Sequence, residues 1–592
     1  MKPPVFYLIS GLWPLLLPPV VLSVLAHVAK DQTGFALPTP VVVVLCILSI
    51  PATFVTVNFI VMRAQMQRAA KFGSALPPQW EGKWIGNLDV LIRFLKAWKE
   101  GYIGDRHLDG VTKLGSVLGH RFMGDYATFT TEPEHIKIIL ATDFNNYIKG
   151  KRFRVAMESV LGSGVFNSDG DMWKFHRGMT RPFFARDRIS HFAIFDRHAE
   201  DLVAKLKERL RGGYPVDFQD AISRFTLDSA TEFLFGACVN SLSAGLPYPG
   251  DAYAGHAKAS DDPAEKFARA FAEAQYVVAG RSNTGDAWPM FELAGDRSKR
   301  PMAVVNAFIE PVVNRVLAKH QQMKAEREAA SHSSKEEIED HDTLLDYLVR
   351  QTSDVSVLKD ETLNMLVAGR DTTAGLLTFT AYFLAMYPNV MARLREEVLL
   401  TVGASAQPTF DNIKNMKYLR AVLNETLRLY PLVPWNVRES VHDTTWPSPH
   451  PDGKPIFIPG GTSVIYSVFM MQRRKDLWGP DAEEFDPERF LDERVKKYLI
   501  PNPMIFAPFN AGPRICLGQQ FAYNEASFVL IRLLQQFSAF HLATEYQPRE
   551  THPPADWASC EGRKGIEQIF PRSHLTAYSY GGLWLTMTEA DD

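Results

Sequence analysis

The residues best suited to chemistry stand near the carboxyl end, in Phe509-Asn-Ala-Gly512-Pro-Arg514-Ile-Cys516-Leu-Gly518, directly before the apolar-periodic stretch QQFAYNEASFVLIRLLQQF. A cysteine in front of a helix meets free backbone N–H groups and the positive end of the helix dipole, and both favour a thiolate. Gly512 and Gly518 let the backbone lie close against a flat object. Arg514, two residues from the sulfur, is placed to meet an acidic group on that object. An isolated cysteine is by default a small core hydrophobe; these three features together shift the balance toward a thiolate lying against a flat, acidic group.

Three other groups combine unlike residues at telling spacings. In Trp173-Lys-Phe-His-Arg177 the indole and the guanidinium share a helical face and could serve one carboxylate; a half-buried Trp beside an exposed Arg is the plain alternative. Glu425 and Arg428 sit three apart in YLRAVLNETLRLYPLVPW, apolar enough to bury them, and a buried pair needs further hydrogen bonds. Arg489, in FDPERF, can supply those through its planar fork. Ala368-Gly-Arg-Asp371-Thr372-Thr373 puts an acid and alcohols inside an otherwise apolar helix, where polar groups are costly; a kink at Gly369 is the plain reading.

The pattern Phe509-x-x-Gly512-x-Arg514-x-Cys516-x-Gly518 resembles, in full, the cysteine-ligand loop of the cytochrome P450 family. The resemblance implies a mainly α fold with a minor β portion, the cytochrome P450 fold, behind an N-terminal transmembrane anchor. It implies haem b with Cys516 as axial iron ligand, Phe509 packed beside the sulfur, and Arg514 on a haem propionate. Trp173 and Arg177 match the family's propionate site, with Arg438 as a third partner. Glu425, Arg428 and Arg489 match its structural triad. Asp371 and Thr372 match its oxygen-activation motif, which places a local bulge in the helix: Thr372 hydrogen-bonds dioxygen and Asp371 relays protons from solvent.

Activity follows from the same likeness. TFTTEPEHIKIIL, LGSGVFNSDGDMWKFHR and NAGPRICLGQQFAYNEAS look most similar to fungal membrane-bound alkane and fatty-acid hydroxylases. A monooxygenase of a lipophilic substrate is implied, hydroxylating a long-chain alkane or fatty acid at or near its end. Polycyclic aromatic or other xenobiotic substrates stay open, since residues 264–296 carry no readable code. About 70 residues follow the cysteine loop, too few for a flavin domain, so electrons must come from NADPH through a separate NADPH–cytochrome P450 reductase. Lys174, Arg181, Arg186 and Arg188 could steer it, although a solvated basic face is the commoner explanation. A peroxide-driven peroxygenase or isomerase would not need the Asp371–Thr372 pair, nor would a non-catalytic haem sensor.

The elements that must position these residues follow from pattern. Residues 3–29 and 32–62 carry no formal charge, and each run is long enough to cross a bilayer. Two spans are expected; a single span with an interfacial segment is the alternative, because Pro14, Pro18 and Pro19 interrupt the first run. Arg63, Arg68 and Lys71 then put the remainder on the cytosolic side of the endoplasmic reticulum membrane. The expected division is a membrane anchor over 1–62, a linker over 63–84 with ALPPQWEGKW as a stiff connector, and a catalytic domain over 85–592. Within the domain, HRFMGDYATFT reads as a hairpin, GKPIFIPGGTSVIYSVF as two strands, and LKDETLNMLVAGRDTTAGLLTFTAYFLAMYP as a core helix of about thirty residues. HFAIFDRHAEDLVAKLKERL and VVNRVLAKHQQMKAEREAA read as amphipathic helices, and residues 245–262 and 331–342 as surface loops.

Composition narrows the field. The 592 residues are 46% hydrophobic and 22% charged with a net charge of -3, and no basic run is interleaved with aromatics, so nucleic acid is excluded as a partner. Cys46, Cys238, Cys516 and Cys560 show no CxxC spacing. Cys238, in the helix-like TEFLFGACV, is expected to be a buried hydrophobe. The sequon Asn424-Glu425-Thr426 falls in a helical pattern and is not expected to be glycosylated.

Overall fold

The computed structural model describes residues 4–34, 36–184, 192–250, 262–329 and 342–590. Arg186 and Arg188, and most of both expected surface loops, lie outside the described residues. The chain forms two compact units: Met1–Ala156 with Gly280–Arg297 and Val437–Tyr466, and Met157–Ala279 with Ser298–Asn436 and Ser467–Asp592.

The first unit opens with two packed helices, Pro4–Thr33 and Thr39–Lys71. The first continues through Pro14, Pro18 and Pro19, the residues on which the single-span alternative rested. Proline removes an N–H and crowds the preceding turn, but in an apolar setting a broken helix would strand still more backbone groups. Among the described residues one helix, Thr39–Lys71, is long and apolar enough to cross a membrane, and protein buries none of its apolar window. Its 33 residues span about 50 Å, more than the roughly 30 Å of hydrocarbon.

The stretch 75–84 is extended, as expected of a connector, yet it is bound to the sheet. The Ala75 amide donates to the Pro455 carbonyl at 3.0 Å, and the Phe457 amide donates to the Ala75 carbonyl at 2.7 Å. Gln79–Trp80 then pairs in parallel with Val117–Phe122, with Trp80 buried. The expected hairpin is present, Val117–Phe122 against Asp125–Thr130, turning through Met123 and Gly124 at positive φ. Asp125–Thr130 runs parallel to Ser463–Tyr466, followed by Asn436–Ser440 and, antiparallel to that, Tyr147–Ile148. The two strands expected in 453–469 are both present. They do not pair with each other: Ile456–Ile458 joins Thr444–Trp446 in a separate two-stranded sheet.

The second unit is mostly helical around Val355–Met386, 32 residues apolar nearly all round and buried along most of its length. Asp354 caps it by accepting from the amides of Ser356 and Val357. The helix expected at 191–210 runs from Ala193 to Arg211, with residue 191 outside the described residues. The one expected at 312–330 begins earlier, at Lys299, and passes through Pro311. Buried Met302, Val305 and Ile309 continue the apolar stripe upstream, and that burial outweighs one lost hydrogen bond. The expectation for Cys238 is corrected: the helix Phe218–Phe235 ends at Gly236 in the left-handed region (φ 64), so the cysteine is half-buried in the following loop. The sequon lies in the helix Lys417–Leu429 with Thr426 buried, no place for a glycan.

Candidate functional site

The cysteine loop belongs to the second unit. Asn510 and Gly512 take positive φ, and Gly512–Arg514 makes one tight turn closed by the Ile515 amide on the Gly512 carbonyl at 3.0 Å. The Cys516 amide then donates to the Phe509 carbonyl at 3.0 Å. Gly518 caps the helix Gln519–Gln536, so the cysteine stands just outside the helix start. Burial pushes the Cys516 thiol above its usual pKa, while the Gly518 amide and the Arg177 guanidinium pull it back by stabilising the thiolate. Protein atoms crowd the sulfur, yet the residue keeps an exposed face that a ligand could meet.

Gly518 supports that conclusion. Its φ is -84, which any residue adopts, and an added Cβ would meet only Phe184, at 3.9 Å. No protein atom requires glycine there; a flat group lying against the loop would. These residues fit haem.

The helix Gly170–Thr180 carries Trp173, His176 and Arg177. Arg177 Nη2 donates to the Ile515 carbonyl at 2.8 Å. The Arg514 guanidinium lies 4.6 Å over the Trp173 ring, and that of Arg177 lies 5.9 Å from it. Arg514 also donates to the Ser168 carbonyl at 2.8 Å and to Asp169 at 3.0 Å. The structure thus brings Trp173, Arg177, Arg514 and Cys516 together. The Phe509 ring packs 5.2 Å from Tyr523. Arg438 belongs to the first unit, where it is buried, donates to the Val437 carbonyl at 2.8 Å and lies over Tyr466.

The triad is assembled as expected and more fully bonded than its spacing implied. Glu425 receives Arg428 through two bonds of 2.7 and 2.8 Å, the Asp486 amide at 3.0 Å and Arg489 Nε at 3.5 Å. Arg428 donates onward to the carbonyls of Gln472, Ala482 and Glu484. Arg489 also engages Asp481 at 2.9 Å. All three triad residues are buried.

On the Val355–Met386 helix the expected local bulge is absent: the helix is continuous through Ala368–Thr373. Thr372 Oγ1 donates to the Ala368 carbonyl at 2.6 Å, so its half-buried hydroxyl leaves no unpaired donor inside the continuous helix. Asp371 meets Arg370 at 3.1 Å through one oxygen, while its second oxygen is buried without a hydrogen-bond partner.

Sequence reasoning missed several groups here. His176 is fully buried and pairs with Glu361 of the long helix; Glu361 also accepts the Val165 amide at 2.9 Å. Gly162 and Gly164 admit Asp360 and Asn364 of that helix, which a Cβ would strike at 2.1 and 2.4 Å. His574, in the Phe570–Tyr580 hairpin, accepts the amides of Leu575 and Thr576 on Nδ1. Burial lowers its pKa, with the nearby Asp371 carboxylate opposing. Glu525 accepts Ser229 Oγ at 2.8 Å, and burial pushes its carboxyl up to about 7. Only His176 carried a signal, its place in WKFHR beside the Trp–Arg pair; the others meet partners too distant in sequence for spacing to reveal.

A family profile described as Cytochrome P450 matches residues 95–557. The chain is 38% identical over 487 residues to cytochrome P450 52-E3 of Starmerella bombicola, covering 80% of this chain and 87% of that protein. It is 38% identical over 491 residues to cytochrome P450 52A3-A of Candida maltosa, covering 81% and 87%. To cytochrome P450 52A10 of the same yeast it is 40% identical over 487 residues, covering 80% and 85%.

Proposed function

Because the chain belongs to the cytochrome P450 family, we propose that the Cys516 thiolate is the axial ligand of its haem b iron. The protein is a haem-dependent monooxygenase that uses dioxygen and draws electrons from a redox partner. The observation that carries the cysteine assignment is an exposed cysteine just before a helix start, with the Gly518 amide and Arg177 both favouring its charged form. Phe509 packs beside the sulfur, and Gly512 and Gly518 keep the loop close to the ring. Trp173, Arg177 and Arg514 are donors for the haem carboxylates, and the resemblance assigns Arg438 the same task. Glu425, Arg428 and Arg489 hold the fold behind the loop.

A haem held by thiolate supplies oxygen activation and transfer of one oxygen atom into a C–H bond. The chain's share is proton handling and exclusion of water. With its hydrogen committed to Ala368, the Thr372 hydroxyl oxygen is an acceptor for a proton-bearing partner in the pocket. Asp371, with one carboxylate oxygen unengaged, carries protons toward it.

The substrate is a long-chain alkane or fatty acid, hydroxylated at or near its end. Two features support this: the likeness of TFTTEPEHIKIIL and LGSGVFNSDGDMWKFHR to enzymes of that kind, and an apolar helix that keeps the protein where such molecules dissolve. NADPH–cytochrome P450 reductase is the electron donor. The anchor over 1–62 sits in the endoplasmic reticulum membrane, with the chain from 63–84 leading to a cytosolic catalytic domain over 85–592, as the charges of Arg63, Arg68 and Lys71 favour.

The test is the carbon-monoxide difference spectrum of the reduced protein. The wild type is expected to give the thiolate-type Soret shift and Cys516→Ala to lose it; a wild-type spectrum without that shift overturns the ligand assignment. Fatty acids and alkanes are expected to displace water from the haem and shift its absorbance. Indifference to every chain length overturns the substrate assignment alone.

A further inference from the structure

Cys238 takes no part in the monooxygenase chemistry, and its surroundings are not those of an inert core thiol. After Gly236 the chain turns back along the helix it has just left. The Val239 amide donates to Thr231 Oγ1 at 3.2 Å, and the amides of Ser241 and Leu242 donate to Asp228 at 2.6 and 2.9 Å. These bonds hold the cysteine beside Glu232. From the helix Ala193–Arg211, buried His198 meets Glu232 Oε2 through Nε2 at 2.8 Å. One ligand atom from each of His198, Glu232 and Cys238 lies within 4.8 Å of the other two.

We propose that His198, Glu232 and Cys238 form a site for a borderline-soft divalent cation of the zinc type, joining two helices and a loop of the second unit. Imidazole nitrogen, carboxylate oxygen and thiolate sulfur make a donor set that zinc accepts, at bonds of about 2.0–2.3 Å. Such bonds put tetrahedral ligand atoms roughly 3.3–3.7 Å apart, so closing the site needs side-chain adjustment and no movement of the helices. The sulfur already accepts the Asn240 amide at 3.2 Å, a bond that a thiolate strengthens and that metal binding leaves in place. Burial, with the Asp228 carboxylate next, pushes the Cys238 thiol up to about 12. A bound cation supplies the charge that offsets this and deprotonates the sulfur. Arg197 occupies one Glu232 oxygen, Oε1, at 2.8 Å, and the metal would replace the His198 Nε2 bond on the other, Oε2. On binding, the Cys238 S–H bond breaks and its proton goes to solvent. The His198 Nε2 proton, which bonds Glu232 Oε2 in the empty site, exchanges through solvent to Nδ1. Nε2 and Oε2 then both turn to the ion with no further net proton lost, and water completes the shell.

The site uses no residue of the monooxygenase reading and stands or falls apart from it. The haem-loaded, full-length protein is stripped with chelator, titrated with zinc and desalted. One equivalent is expected to remain, with about one proton released per ion and one sulfur in the zinc X-ray absorption spectrum. Cys238→Ser and His198→Gln are each expected to weaken retention at least tenfold with the carbon-monoxide spectrum unchanged, whereas Cys560→Ser and Cys46→Ser retain the ion. No retained equivalent, a sulfur-free shell, or retention indifferent to Cys238→Ser overturns the proposal. Should those variants fail to fold, the wild type decides: zinc must slow alkylation of Cys238, read by peptide mapping, and an unchanged rate rejects the site.

Discussion

Glu425→Ala is the substitution whose cost can be worked most fully from the geometry. The carboxylate is fully buried and accepts two bonds from Arg428, one from the Asp486 amide and a longer one from Arg489. Removing it leaves the Arg428 guanidinium, also fully buried, without a counter-charge. Breaking a buried pair in this way costs about 3–5 kcal/mol, and the abandoned Asp486 amide adds about 1 kcal/mol. The sum, about 4–6 kcal/mol, compares with about 5–15 kcal/mol for a whole folded domain. At about 1.4 kcal/mol per tenfold, the unfolded population rises by roughly a thousandfold or more. Urea unfolding followed by tryptophan fluorescence, with haem content read in parallel, is the assay. Glu425→Gln keeps the shape and some of the bonds, and should fall between wild type and alanine. A Glu425→Ala protein within about 1 kcal/mol of wild type would refute the reasoning, because an uncompensated buried guanidinium cannot be that cheap.

Arg428→Lys should fail almost as badly in the same assay, since one ammonium cannot serve Glu425 and the carbonyls of Gln472, Ala482 and Glu484 together; near-wild-type stability would contradict the bond count. Glu525→Gln tests the pH dependence. The folded carboxyl titrates at about 7, above its ordinary 4.5, so the folded state binds the extra proton and stability falls as pH rises between those values. The penalty, about 3 kcal/mol, is complete above pH 7, and the variant should flatten melting temperature against pH from 5 to 8. An unchanged slope places the titration elsewhere. Thr372→Ala should divert electrons from hydroxylated product to hydrogen peroxide, measured as peroxide formed per NADPH oxidised; unchanged coupling rules out the assigned role. Arg177→Ala removes both the bond to Ile515 and a charge beside the sulfur, and should speed haem transfer to apomyoglobin at least several-fold; equal rates would show that Arg177 holds neither loop nor haem.

What could be read in advance was chemistry concentrated in short stretches. Phe509–Gly518, Trp173–Arg177 and Glu425–Arg428 each carry their meaning within a helical turn or a tight loop, and the structure assembles all three. The long apolar helix was legible for a similar reason, since burial on every side leaves an apolar run without a polar face. Contacts between remote segments were not legible. His176 meets Glu361, and His574 sits near Asp371, across roughly two hundred residues that leave no trace in spacing. Local rules also yielded to context. Pro311 lies inside a helix because buried residues upstream continue the stripe, and the Thr372 hydroxyl is satisfied inside its helix by a carbonyl one turn back. For Cys238, composition suggested a core hydrophobe, but Gly236 reverses the chain and delivers it to His198 and Glu232.

The end of the Thr39–Lys71 helix meets the sheet almost at once. Arg68 grips Asp443 through two bonds of 2.8 and 3.0 Å, Phe72 packs on Phe457, and Ala75 is already bonded to Pro455 and Phe457. A flexible tether of comparable length would let its cargo swing and tumble, with a reach of about 5–6 Å times the square root of its residue count. Here hardly any free chain remains, so the helix serves as a mast and not a leash. The height and heading of the sheet therefore follow the helix: were the helix to span a bilayer, a thicker or thinner one would raise, lower or tilt the sheet itself.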